Sequence, residues 1–254
     1  MNVDFGKTAK DYGRHRAGFP DSFFERLTAF GIGQPPQRVL DLGTGAGTVA
    51  RGLALRGCTV VGLDPSLPLL REAKRLDAEV GVNILHLVAL AEATALRSHS
   101  FEIVTAGQCW HWFDRAKAAD EVLRLLVPGG RLVIAHFDWI PLPGNVVDAT
   151  EKLIEQHNPK WKMGGGNGMH PAWLLDVATA GFLDLETFSY DVQAPYTHAA
   201  WRGRIRASAG VAASLAPEQV AQFDSELQTL LAERFPQDPL AVHHRVFALI
   251  CKAL

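Results

Sequence analysis

The stretch that most constrains this chain runs Arg38-Val-Leu-Asp41-Leu-Gly43-Thr44-Gly45-Ala-Gly47-Thr48, followed by Thr59-Val-Val-Gly-Leu-Asp64. A short apolar strand ends in an acid, turns through three glycines and opens a helix. A second strand of buried type then ends in another acid. Glycines let the backbone turn tightly and let a ligand approach it without a Cβ in the way. A helix starting at Thr48 presents free N–H groups to whatever lies over the turn. An acid closing the second strand can accept the hydroxyls of a ribose. The pattern points to a doubly wound α/β fold that holds a nucleoside-bearing ligand.

Gly45-x-Gly47-x-x-Ala50 fits the loose dinucleotide fingerprint G-x-G-x-x-G/A. Asp41 argues against a dinucleotide, because a carboxylate just before the turn repels a pyrophosphate. It suits a ligand carrying an ammonium group.

Strands and helices alternate around this motif. The pattern predicts strands over 38–41, 58–63, 83–88, 101–105 and 130–137, with helices over 48–56, 66–77 and 115–126. Continuously apolar strands alternating with helices imply a parallel sheet covered on both faces. Before them, Asp21 or Ser22 caps a helix running to about Phe30. After Phe137 the regularity breaks. Loop and helix follow near 146–157, then a glycine-rich run, Gly164-Gly-Gly-Asn-Gly168, readable as a lid hinge or as plain loop. A helix near 171–180, a strand at 182–190, a helical excursion over 197–235 and a strand at 243–251 complete the chain.

The chain has 254 residues, 48% hydrophobic and 20% charged, enough for one full core. A net charge of −2 gives no global case for nucleic acid. The three cysteines, Cys58, Cys109 and Cys251, lack C-x-x-C spacing and fit a reducing cytoplasm. No stretch approaches the ~20 apolar residues that span a bilayer, and no secretory signal is expected. No metal-ligand constellation stands out, and His243 and His244 point opposite ways on a strand.

The whole run Asp41-x-Gly43-x-Gly45-x-Gly47 resembles the first motif of class I S-adenosylmethionine (SAM)-dependent methyltransferases. Asp64-Pro65-Ser resembles that family's ribose-binding end of strand two. Ala91-Glu92-Ala-Thr before Ser100-Phe-Glu-Ile-Val resembles its adenine-side segment and fourth strand, and Leu126-Val-Pro128-Gly-Gly130-Arg-Leu-Val-Ile its turn into strand five. The motifs cover about residues 35–137. The resemblance implies one methyltransferase domain over 1–254, with a Rossmann-like, seven-stranded, mostly parallel sheet whose last strand is antiparallel. Residues 1–34 would cover the cofactor, 35–137 would form the SAM-binding core, and 138–180 and 191–240 would supply a helical cap. Strands at 182–190 and 243–251 would complete the sheet. One departure is Leu90, where many relatives carry a polar residue before Ala-Glu.

The cofactor residues so implied are Asp41, Gly43, Thr44, Gly45, Gly47, Asp64, Pro65, Ala91, Glu92 and Gln108. Phe5, Tyr12, Arg16 and Pro20 resemble the lead-in of trans-aconitate-type and ubiquinone/menaquinone-biosynthesis-type small-molecule methyltransferases. This places Tyr12 and Arg16 near the methionine portion, where a guanidinium would suit a carboxylate. Gly107-Gln108-Cys109-Trp110-His111-Trp112-Phe113-Asp114 follows strand four, at the strand end where such folds bind ligands. Trp110, His111, Trp112, Phe113, Trp139 and His170 are the expected acceptor pocket. His111 is the candidate catalytic base, or else a histidine that orders the loop while the aromatics pack. Asp114 reads as a helix cap. His136, Trp161, Met163 and Trp173 serve either an acceptor or packing between cap and body.

The expected activity is methyl transfer from SAM to a small-molecule carboxylate, hydroxyl or amine, releasing S-adenosylhomocysteine. The alternatives are a SAM-binding regulator without turnover and a nicotinamide-dependent oxidoreductase. No nucleic acid or membrane partner is expected, and oligomeric state is left open.

Overall fold

The computed structural model describes residues 18–254. In chain order the elements are α1 (Asp21–Ala29), β1 (Arg38–Leu42), α2 (Thr48–Ala54), β2 (Thr59–Leu63), α3 (Leu67–Glu79), β3 (Leu85–Leu87) and β4 (Phe101–Gly107). Then come a 3-10 turn (Trp110–Trp112), α4 (Arg115–Leu125), β5 (Leu126–Trp139), α5 (Val146–His157), α6 (Ala172–Ala180) and β6 (Leu183–Tyr196). The last are α7 (His198–Arg206), α8 (Pro217–Arg234) and β7 (Leu240–Lys252). The seven strands form one sheet in the order β3-β2-β1-β4-β5-β7-β6.

Strands β1 to β5 pair in parallel. β7 runs against β5: Gly129 and Ala253 are bonded near one end, and Ile140 donates to His243 near the other. Asp191 facing Arg245 and Asp184 facing Lys252 set the same opposed register between β6 and β7. The sheet is thus mostly parallel, with the last strand, β7, antiparallel to both its neighbours, as the resemblance implied.

The described chain divides into two compact units. The core unit comprises Gly18–Phe137, His170–Ser189 and Val246–Leu254; the second comprises Asp138–Met169 and Tyr190–Arg245. Residues 170–180, which the sequence reading groups with the cap, cluster with the core unit. Trp173, Val177 and Phe182 are buried in one apolar cluster with Trp110 and Phe247, and that burial decides their place.

In the core unit β1 is buried along Val39–Leu42, between β2 and β4. Asp41 registers with Gly62 on one side and Thr105 on the other. Strand order reverses across β1 and β4, and in open α/β sheets ligands bind at such a switch point, at the carboxyl ends of the strands. The turn after β1 is held from below. Arg51 Nη2 donates to the Ala46 carbonyl at 2.7 Å and Arg51 Nε to Asp77 at 2.9 Å, while His86 Nε2 lies 2.7 Å from the other Asp77 oxygen.

The fifth strand begins earlier than the 130–137 its apolar run suggested. α4 ends at Leu125 and the chain is already extended at Leu126, passing through Pro128-Gly-Gly130 with a register shift against β4 between Phe101 and Ile103. A Cβ on Gly130 would lie 2.9 Å from the Val127 carbonyl and 3.1 Å from that of Glu102, so only glycine lets the irregular strand stay paired. The excursion over 197–235 is two helices, α7 and α8.

The second unit has its own anchors. Trp201 Nε1 donates to Thr150 Oγ1 at 3.1 Å, and Asn158 Nδ2 to the Gly210 carbonyl at 3.0 Å. Among the described residues no helix is long and apolar enough to cross a membrane.

Candidate functional site

Two carboxylates dominate the strand ends of the core unit. Asp41 is 2% exposed and accepts the Thr105 hydroxyl at 2.6 Å. Burial pushes its carboxyl up to about 6, against the opposing pull of the Thr105 bond. Asp64 is 7% exposed and accepts backbone N–H groups from both neighbouring turns, Gly45 at 2.9 Å and Ser66 at 2.8 Å. Burial raises its carboxyl too, and the two backbone donors work against that rise. Among the described residues neither acid forms an ion pair. Two buried anions without a counter-ion are costly in an apolar setting. A ligand bringing a cation and hydroxyl donors is what such a pair fits.

The turn between them requires glycine. Gly43, Gly45 and Gly47 have φ of 57°, 55° and 81°, in the left-handed region. At Gly43 there is also no room: a Cβ would lie 2.8 Å from Cys109 Cβ and 3.1 Å from the Phe113 ring. Cys109 donates its thiol to the Leu42 carbonyl at 3.1 Å, so the turn after β1 and the loop after β4 are locked together. Between them Gln108 adopts φ 63°, with its N–H bonded to the Ala135 carbonyl at 2.8 Å. A left-handed side-chain-bearing residue stores about 1–3 kcal/mol of strain, a cost that clusters at ligand sites.

In the segment before β4, Ala91 is buried and Glu92 accepts the Asp114 N–H at 2.8 Å. Thr94 donates from both N and Oγ1 to Glu121, at 2.9 and 2.6 Å, which fixes the segment on α4. Leu90 is exposed. Asp114 caps α4, as its position before the helix implied. Pro65 occupies the tight turn that Asp64 closes onto Ser66. Tyr12 and Arg16 lie outside the described residues.

The aromatic loop splits into two faces. Trp110 is fully buried, and its indole N–H donates to Asp176 at 3.2 Å. It is a core residue and does not line an open pocket, contrary to its expected role: the apolar surface of a tryptophan gains most by joining the cluster under α4 and α6. Phe113 packs edge-on against it at 5.9 Å. His111 and Trp112 are exposed, their rings 4.7 Å apart.

From His111 a row of rings runs inward within the core unit. His136 is 5.2 Å from His111 and 4.7 Å from His170, and His170 stacks on Trp173 at 4.0 Å and 6°. The structure therefore brings together His111 and His170, which are far apart in sequence. It adds His136 on β5 as the link between them. Trp139 lies in the second unit, edge-on to Trp201 at 5.6 Å, with its N–H donated to Glu151 at 2.7 Å.

A methyltransferase-domain family model matches residues 40–134, the span from β1 through the first half of β5. An uncharacterized methyltransferase of Mycobacterium tuberculosis is 36% identical over 199 residues, covering 71% of this chain and 77% of that protein. A demethylmenaquinone methyltransferase of Thermus thermophilus is 37% identical over 115 residues, covering 44% of this chain and 52% of that protein. Among solved structures, Haemonchus contortus phosphoethanolamine N-methyltransferase 2 in complex with S-adenosyl-L-methionine superposes with a TM-score of 0.57 at 21% identity. That match covers 98% of this chain and 57% of that protein. A glycine turn closed by two buried acids, on a sheet of this order, and a mycobacterial relative matched over most of its length make the chain a member of the class I methyltransferase family.

Proposed function

We propose that this methyltransferase takes its methyl group from SAM and passes it to a small-molecule acceptor. The observation that carries this reading is the pair Asp41 and Asp64, two buried carboxylates without an ion-pair partner among the described residues, flanking a left-handed glycine turn. SAM, when bound, supplies a methyl group made electrophilic by its sulfonium. Asp41 is the residue to balance the ammonium of the methionine portion. Asp64 is the residue to take the ribose hydroxyls, held for that task by the N–H groups of Gly45 and Ser66. Gly43, Gly45 and Gly47 leave the backbone open to the ligand, with Thr44 in the same turn. Ala91, Glu92 and Gln108 border the nucleoside side. Tyr12 and Arg16 are assigned to the methionine end on resemblance alone.

The acceptor's place is the exposed side of the loop after β4. In-line displacement needs an acceptor atom held at ~3–3.5 Å and shielded from water. His111 offers a group that can orient an acceptor or take its proton at working pH. A net charge of −2 favours a small molecule over nucleic acid as acceptor.

The test is turnover. Pure protein is incubated with SAM and a panel of small acids, phenols and amines, and S-adenosylhomocysteine release is followed. Acceptor-dependent release supports the reading and names the acceptor class. SAM binding without release across the panel would favour a SAM-binding regulator. Binding of NADH in place of SAM would overturn the reading.

A further inference from the structure

Strand β3 has three residues and lies at the edge of the sheet, with His86 at its centre. His86 registers with Gly62 on β2, and Gly62 registers with Asp41 on β1. Laterally paired residues share a face of the sheet, so these three form a row across neighbouring strands. Thr44 of the glycine turn meets this row at its middle. A Cβ on Gly62 would lie 3.0 Å from His86 Nδ1 and 3.1 Å from Thr44 Oγ1. The missing side chain of Gly62 is what lets the imidazole and the threonine approach each other.

Both ring nitrogens bear on the turn. Nε2 lies 2.7 Å from one oxygen of Asp77, whose other oxygen accepts from Arg51 Nε at 2.9 Å. Arg51 Nη2 continues to the carbonyls of Ala46, at 2.7 Å, and Ala73, at 3.3 Å. A carboxylate only accepts, so Nε2 carries the N–H and Nδ1 of the neutral ring is an acceptor. Nδ1 is buried and makes no hydrogen bond among the described residues. The Thr44 hydroxyl borders the same bare glycine. Burial raises the Asp41 carboxyl, and this hydroxyl, after that of Thr105, opposes the rise.

The side chains of Arg51, Asp77 and His86 are 14%, 5% and 8% exposed. A buried ion pair adds little stability over apolar side chains of the same size, because desolvation offsets attraction. What it does supply is a fixed geometry. A guanidinium whose Nε is committed to Asp77 can aim Nη2 in one plane only, and there it meets the Ala46 carbonyl. Ala46 stands between Gly45 and Gly47, at φ 55° and 81°, where the chain has most freedom to lose. We infer that His86 is a positioning residue for the glycine turn. It holds Ala46 through Asp77 and Arg51 and faces Thr44 across Gly62, so that the turn keeps one shape for its ligand.

This role deepens the SAM reading and rests on it, so one readout omits SAM. In the ligand-free full chain, the Gly47 amide nitrogen shares a peptide with the Ala46 carbonyl. Its resonance should shift in His86→Phe and stay in place in His86→Gln, which keeps an N–H toward Asp77. An unmoved Gly47 resonance in His86→Phe overturns the assignment whether or not SAM binds. A moved one, in a chain that binds no SAM, counts against the SAM reading alone. Calorimetry with SAM should show about tenfold weaker binding for His86→Phe, the loss of one hydrogen bond, largely recovered in His86→Gln. Arg51→Lys keeps the charge but not the planar fork, and should show the same loss; it decides should His86→Phe fail to fold. The combined variant Arg51→Met, Asp77→Leu, His86→Phe replaces the buried polar group by apolar side chains. It should melt above Asp77→Leu alone, with SAM binding still weak. Affinity that returns together with stability would make the group a purely structural one and overturn the positioning role.

Discussion

The carboxylate of Asp64 accepts the backbone N–H of Gly45 at 2.9 Å, tying the end of β2 to the middle of the turn that follows β1. One residue thereby serves two ends. It shapes the glycine turn, and in the proposed reading it takes the ribose hydroxyls.

Asp64→Ala should therefore weaken SAM binding by well over tenfold. It removes the hydroxyl acceptor and leaves a buried N–H without its partner, a loss of about 1–3 kcal/mol. Asp64→Asn keeps one acceptor oxygen and should retain part of the affinity. Calorimetric titration with SAM checks both, alongside thermal melts that separate folding from binding.

Asp41 gives a pH dependence with a definite sign. Its carboxyl is raised to about 6, so below that value it takes up a proton and loses its attraction for an ammonium group. SAM affinity should be flat above about pH 6 and fall as pH drops below it, by up to tenfold per unit. Asp41→Asn should flatten the profile at the weak, low-pH level. The ligand-free protein should show the opposite slope. The raised pKa means the folded state favours the protonated acid, so this residue's contribution to stability is lost as pH rises from about 4 to 6.

Gly43→Ala should be among the most damaging small substitutions. The residue sits at φ 57°, and its new Cβ would press Cys109 Cβ at 2.8 Å. Left-handed strain of about 1–2 kcal/mol adds to a contact neither side can easily give. A loss of several kcal/mol in chemical denaturation is expected, with SAM binding reduced in whatever folds.

His111→Gln separates chemistry from cofactor binding. The ring is exposed at the outer end of the histidine row. Turnover with the acceptor found should fall about 100-fold if the imidazole carries a proton, with SAM affinity unchanged. An equal fall in both quantities would make it a loop-ordering residue.

In the second unit, His244 is depressed to about 4 from its ordinary 6.5, so the unfolded chain takes up a proton before the folded one does. Its contribution to stability should be complete above pH 6.5 and be lost progressively as pH falls toward 4, up to about 3 kcal/mol. His244→Gln should flatten that part of the acid limb in melts followed by tryptophan fluorescence.

The core unit was legible because its signals are local. Apolar runs ending in Asp41 and Asp64, with three glycines between, specify strand, turn and strand within a short stretch of chain. Trp110 misled because an aromatic after β4 can turn either way; the partner that draws it inward, Asp176, lies on α6, far along the chain. The early start of β5 was hidden by Pro128-Gly-Gly130, which reads as a break but stays within the strand, with Gly129 left-handed and Gly130 too crowded for a side chain.

The measurement that bears most directly on the central claim is calorimetric titration of the wild-type chain with SAM near pH 7.5, with Asp64→Ala beside it. Saturable binding at one site per chain, weakened well over tenfold in the variant, is the expected result. No heat from SAM with a folded protein, or binding indifferent to Asp64, would contradict the account.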